Sequence, residues 1–230
     1  MKTCAYTDKG PRTENQDAFC IKNTKHGLLL AVADGVGGNR GGATASQLAI
    51  STLAEEVERG ADLRQALIEA HNAITKKAQA ESALEGMATT LSAVLLLDNM
   101  LVGAHCGDSR IYLLRGKGIK QLSQDHTEVA RLLAEGRLTK EQAFFYPRKN
   151  LLESALGTNK KLILQEFECA LQLGDRLLLS TDGAYSVTSK KEICELSRSE
   201  NNLDLFYERL VDKVKDAGPT DNFTVIAVEI

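Results

Sequence analysis

Asp17, Asp34, Asp108, Asp182 and Asp221 fall where side chains can be brought to a common point. Asp34 ends the apolar run Leu28 to Ala33, Asp108 follows Leu101 to Cys106, and Asp182 follows Leu173 to Leu179 within a few residues. Asp221 precedes the terminal run Thr224 to Ile230, and Asp17 precedes Ala18-Phe19. The first three are followed by small residues, Gly35, Ser109 and Gly183. An acid at a strand end is held by a rigid sheet, and several such ends can converge. Converging carboxylates raise one another's pKa, so they need counter-charge. Divalent cations supply it, and an oxygen-only donor set favours Mg²⁺ or Mn²⁺ over zinc. A glycine after Asp34 also bares its backbone, which makes the Gly35 carbonyl a further candidate ligand. Asp-Gly is ordinary turn chemistry too, because Gly takes positive φ and Asp bonds its own backbone. One such pair would carry little; the set carries the argument.

The elements that must position these acids follow from the apolar pattern. Leu28 to Ala33 reads as a buried strand. Ala49, Ile50, Leu53, Ala54 and Val57 recur at helical spacing before the stop at Gly60, and Asp62 caps a second stripe through Leu63, Leu67 and Ile74. Thr89 to Leu97, Leu101 to Cys106 and Ile111 to Leu114 read as strands, with turns at Asp98-Asn99 and Gly116-Lys117. Helix follows from Thr127, and Thr139-x-x-Gln142 and Ser189-x-x-Glu192 have capping-box form. Leu203, Phe206, Leu210 and Val214 draw the last helical stripe, ended by Gly218-Pro219. Strands come singly and in hairpins while helices come in pairs, an order that predicts antiparallel sheets with helices outside.

Composition narrows the classes. The 230 residues are 43% hydrophobic and 26% charged with a net charge of -3, which predicts one domain over residues 1–230. No basic cluster suggests a nucleic-acid partner. No apolar run approaches the ~20 residues of a spanning helix, and Met1 to Asp8 has no signal-like apolar region. The expectation is a cytoplasmic monomer without membrane contact. Cys4, Cys20, Cys106, Cys169 and Cys194 form no C-x-x-C pair and read as reduced thiols. The Gly35 to Gly42 stretch fails as a nucleotide loop: Arg40 stands at the third glycine of one frame, and Ala43 stands at the lysine of the other.

The ordered motifs Arg12-x-x-Asn15-Gln16-Asp17, Val32-Ala33-Asp34-Gly35-Val36-Gly37-Gly38, Ala88-Thr89-Thr90-Leu91, Gly107-Asp108-Ser109-Arg110-Ile111-Tyr112, Ser180-Thr181-Asp182-Gly183 and Asp221-Asn222-Phe223-Thr224 span essentially the whole chain. Together they resemble the bacterial metal-dependent protein phosphatases of the type 2C family. The resemblance implies a four-layer αββα sandwich, two antiparallel β-sheets flanked by helices. It implies two core Mn²⁺ or Mg²⁺ ions and a third, weaker one. Asp34 matches the aspartate bridging two metals and Gly35 the carbonyl ligand of the second. Asp182 and Asp221 match the remaining ligands of the first, and Asp17 an acid of the inner or water-mediated shell. Asp108, with Asp182, matches the holder of the third ion. Arg12 matches the arginine that grips the substrate phosphate, a task suited to a planar guanidinium.

The implied reaction is hydrolysis of phosphoserine and phosphothreonine in proteins, the products of a serine/threonine kinase. Two cations ~3.5–4 Å apart can activate a bridging water for direct in-line attack without a phospho-enzyme. Gln16 departs from the usual Glu, and Val36 from the histidine of eukaryotic members, which leaves the general acid unassigned. His126 is a weak candidate beside a capping or packing role; His105 reads as core, and His26 and His71 as surface. Residues 127–157 match the family's flap. The alternative is a catalytically weak relative acting as a regulatory binding module, but that would be marked by loss of the metal aspartates, and all are present. Another phosphate ester as substrate, or a calcium-binding structural role, fits less well; no EF-hand-type loop occurs.

Overall fold

The computed structural model describes residues 1–36 and 41–230, so the Gly37 to Arg40 part of the glycine-rich stretch lies outside the described residues. Among the described residues two five-stranded antiparallel sheets form. One sheet takes β1 (Lys2–Asp8), β10 (Phe223–Glu229), β9 (Arg176–Ser180), β6 (Arg110–Arg115) and β7 (Gly118–Gln121), in that order. The other takes β2 (Asp17–Thr24), β3 (Gly27–Asp34), β4 (Leu91–Leu96), β5 (Met100–Cys106) and β8 (Gln165–Ala170).

Alternation along the strands produces the layers, because successive side chains point to opposite faces. In β3, Leu30 and Val32 join Val94, Ile111, Leu179, Ile226 and Val228 in the core between the sheets. Leu29, Ala31 and Ala33 face the other way, against Ala49, Leu53 and Val57 of α1 (Gly42–Arg59) and Leu67 and Ile74 of α2 (Leu63–Ala80). On the far side, Val225 and Ala227 of β10 pack with Ile193 of α6 (Lys190–Ser199) and with Phe206, Leu210 and Val214 of α7 (Leu203–Asp216). The order is helix, sheet, sheet, helix, as expected.

Local signals hold where a cap or turn fixes them. Gly60 closes α1 at φ 99°, and Asp62 Oδ1 accepts the Gln65 N–H at 2.7 Å to start α2. Both capping boxes form, at Thr139 before α4 (Lys140–Phe144) and at Ser189 before α6. Thr127 caps α3 (Glu128–Ala134) through the Ala130 N–H. Two expectations are corrected. The ninth strand starts at Arg176, because Leu173 is 94% exposed in a turn whose Gly174 has φ 84°. His71 is half-buried and accepts the Gly157 N–H through Nδ1 at 3.1 Å, so it ties α2 to the segment that ends at Gly157.

Candidate active site

The acids meet because the strand ends meet. Asp17 opens β2 and Asp34 closes β3, and the two are register partners. Asp34 is pinned by the Ala88-Thr89-Thr90 segment: its N–H donates to Thr90 Oγ1 (3.0 Å), and its carbonyl accepts from the Thr90 N–H (2.8 Å) and Thr89 Oγ1 (2.9 Å). Asp108 sits in the bend between β5 and β6, Asp221 two residues before β10. Asp182 is the first residue of the short helix α5 (Asp182–Tyr185) with Thr181 before it, where a strand-ending turn was expected.

Arg12, Asp34, Gly35, Asp108, Asp182 and Asp221 line one cleft of about 420 Å³. Thr90, Val36, Asn150 and Leu152 complete its lining. A larger cleft at the β2–β3 and β4–β5 turns, around Lys25 and Leu97, gathers no such set of acids.

Asp17 lies beside this cleft and is 8% exposed. Its Oδ2 accepts from Thr181 Oγ1 (2.8 Å) and Thr224 Oγ1 (2.7 Å), while Oδ1 is buried with no hydrogen-bond partner. A buried, unpartnered carboxylate oxygen is costly unless something else satisfies it. Burial, with the Asp182 and Asp221 charges added, pushes Asp17 up to about 7 against its two threonine hydrogen bonds. Burial, then Asp182 and Asp125, pushes Asp108 up to about 7 as well. Asp34 retains some surface at the cleft, yet its carboxyl is enclosed by protein, and its pKa rises well above the usual range through burial and four neighbouring aspartates. Asp182 is raised by burial and by Asp221, and a hydrogen bond with Asp34 holds it back.

Among the described residues, no three His, Cys, Asp or Glu side chains are already drawn around one ion-sized point. The nearby cation is Arg12, whose Nη2 donates to Asp221 Oδ2 at 2.7 Å. An all-oxygen donor set, raised pKa values and an orphaned Asp17 oxygen together fit a hard divalent cation.

Gly35 and Gly183 decide between turn chemistry and site chemistry. Neither has positive φ. A Cβ on Gly35 would meet the Gly42 backbone at 2.6 Å and Gln16 O at 2.8 Å, and one on Gly183 would collide with Asn222 O. Both are glycine because backbone packs against them next to the acids.

Residues 11–218 match the family profile described as protein phosphatase 2C. This chain belongs to that family. A relative, the serine/threonine phosphatase stp of Listeria monocytogenes, is 36% identical over 97% of this chain and 93% of its own length. The serine/threonine phosphatase PstP of Mycobacterium tuberculosis has a solved structure with TM-score 0.88 and 35% identity, covering 100% of this chain and 98% of that one. The catalytic domain of PstP has also been solved in complex with two manganese ions, at TM-score 0.85 and 33% identity over 99% of this chain and 97% of that one.

Residues without assigned roles in the sequence also hold these acids in place. Thr181 and Thr224 cradle Asp17, and Thr7 Oγ1 extends the chain of hydroxyls to Thr224 at 2.8 Å. Arg110 makes a two-nitrogen contact with Asp125 and lies 3.7 Å from the Tyr185 ring centroid, bracing the element behind Asp108. His126 does not line the cleft; its Nδ1 accepts the Gly107 N–H at 3.2 Å and its ring packs on His105, the packing role. Gln16 turns toward Gly42 at the start of α1, and its carbonyl accepts from Gly35 N–H and Ser46 Oγ.

Proposed function

We propose that the carboxylate cleft is the active centre of a serine/threonine protein phosphatase that hydrolyses phosphoserine and phosphothreonine in proteins. The observation that carries it is the convergence of Arg12, Asp34, Asp108, Asp182 and Asp221 on one cleft beside the unpartnered oxygen of Asp17. Full-length similarity to named serine/threonine phosphatases supports the same activity. The whole of 1–230 is read as one catalytic unit, since the two sheets share their apolar interior.

Asp34 would hold two cations, with the Gly35 carbonyl, Asp182 and Asp221 as further ligands and Asp17 as an inner or water-mediated acid. Asp108 with Asp182 would hold a third. Mn²⁺ or Mg²⁺ bound there supplies counter-charge and activates water for attack on phosphorus. The protein's part is to fix and shield. Thr89 and Thr90 clamp the Asp34 backbone, and Thr181 and Thr224 leave a single Asp17 oxygen for ligation. Arg12, at the cleft and in contact with Asp221, is placed to exchange that carboxylate for phosphate oxygens. Asn150 and Leu152 bring the flap against the substrate side of the cleft. The phosphoproteins would come from a serine/threonine kinase in the same compartment, the phosphatase acting as a monomer. No helix among the described residues is long and apolar enough to cross a membrane.

The test is hydrolysis of phosphoserine, phosphothreonine and phosphotyrosine peptides with Mn²⁺, Mg²⁺ or chelator. Turnover of the first two that disappears with chelator is expected. Preference for phosphotyrosine, or indifference to chelator, would overturn the proposal.

A further inference from the structure

We infer that Asn222 is a positioning residue that ties the Arg12 loop to the cleft; this rests on the reading of Arg12 as the phosphate-gripping side chain. Residues 9–16, between β1 and β2, contain no helix or strand. The loop's own ends help to hold it, through Gly10 N–H to Asp8 Oδ1 at 2.8 Å and Asn15 Nδ2 to Thr7 Oγ1 at 2.8 Å, and a side chain from outside adds to them. Asn222, 5% exposed at the foot of β10, reaches it at both ends. Its Nδ2 donates to the Lys9 carbonyl at 2.8 Å and to the Glu14 carbonyl at 2.9 Å, and its Oδ1 accepts the Gln16 N–H at 2.8 Å. Both amide hydrogens are thus used on one loop, which sets the amide's orientation: the flipped form would aim its oxygen at two carbonyls.

The connection to Arg12 is short. The Lys9 carbonyl that receives the Asn222 amide also accepts the Arg12 N–H at 3.1 Å. The loop is pressed on the same approach from its other face, where a Cβ on Gly10 would meet Asp221 O at 2.5 Å. On the opposite side, the Asn222 carbonyl lies against Gly183, next to Asp182. One residue therefore sits between the helix carrying Asp182 and the loop carrying Arg12. Its side-chain hydrogen bonds end on the loop and none on the sheet, so their loss should free Arg12 and spare the sandwich.

Asn222→Asp tests this. The substitution keeps the shape and the acceptor for Gln16 but sets a carboxylate oxygen against the Lys9 and Glu14 carbonyls. At saturating Mn²⁺, KM for a phosphothreonine peptide should rise about tenfold or more, the scale of one lost charge-assisted hydrogen bond, with kcat less affected. Arg12→Ala should do the same, and the double variant should add little, because both changes remove one contact. Trypsin should cut after Lys9 and Arg12 faster in Asn222→Asp than in the wild type at a similar melting temperature. If Asn222→Asp does not fold, Asn222→Ala removes the same bonds without adding charge and is read identically. KM within twofold of wild type while Arg12→Ala raises it, or multiplying effects in the double variant, would overturn the inference. If Arg12→Ala leaves KM unchanged, the phosphate role of Arg12 falls instead, and the tether is then judged on trypsin alone: unchanged cleavage rejects it.

Discussion

Two buried charged regions of this molecule are handled in opposite ways. At the end of the sandwich away from the cleft, Arg176 is almost fully buried and is answered by protein partners. Its Nε donates to Glu229, its Nη1 to the Ser197 and Glu200 carbonyls, and its guanidinium lies over Phe206. Asp175 next to it is 1% exposed and takes two bonds from Arg115 and one from the Gln172 N–H. At the cleft, Asp17 and Asp108 are buried and Asp34 and Asp182 half-buried, yet no lysine or arginine forms an ion pair with any of them among the described residues. The first region is finished by the protein itself. The second keeps unanswered negative charge, which is what a cation site requires.

The contrast can be broken most severely at Asp34. Asp34→Asn should lower kcat/KM at saturating Mn²⁺ by more than the ~10–100-fold typical of outer-shell changes around a metal, with the fold retained by circular dichroism; near-wild-type activity would contradict the assignment. Next comes pH. Folded-state pKa values raised to about 7 for Asp17 and Asp108 mean that the metal-free folded protein binds more protons than the unfolded chain between the unfolded carboxylate range, near pH 4, and pH 7. Stability of chelated protein is therefore fully present below that range and falls as pH rises to about 7, and Mn²⁺ should cancel the fall. Melting temperatures from pH 4.5 to 7.5, with chelator and with Mn²⁺, measure it.

At the satisfied region the outcome reverses. Arg176→Met should cost roughly 3–5 kcal/mol in urea unfolding, the scale for breaking a buried charge pair, and leave kcat/KM of the folded fraction unchanged. The smallest effect belongs to a lone acid in an ordinary role. Asp62→Ala should cost about 1 kcal/mol, as expected for an N-cap, with activity and Mn²⁺ dependence intact.

The convergence of the aspartates and the layer order are legible in the sequence for definable reasons. Leu29 to Ala33 and Val225 to Val228 are buried on both faces, so their apolar runs are continuous and easily read. Edge strands are different: β8 alternates half-buried with exposed residues, and its Gln165, Glu166 and Glu168 hide it. Strands β1 and β2 are likewise mixed in polarity along an edge. The second layer of the site escaped for another reason. Thr181, Thr224 and Asn222 act through hydrogen bonds to residues 164 to 213 positions away, and spacing along a chain carries no trace of such pairs. Conversely, the Asp-Gly steps read equally as turns until their ordinary φ values and blocked Cβ positions are seen.

Equilibrium dialysis of metal-stripped protein against Mn²⁺ weighs the unanswered acids directly. Two or more ions bound per chain in the wild type, with clear loss in Asp34→Asn and no change in Arg176→Met, is the predicted result. A wild-type chain that retains no Mn²⁺, or an Asp34→Asn chain that binds as many ions, would contradict it.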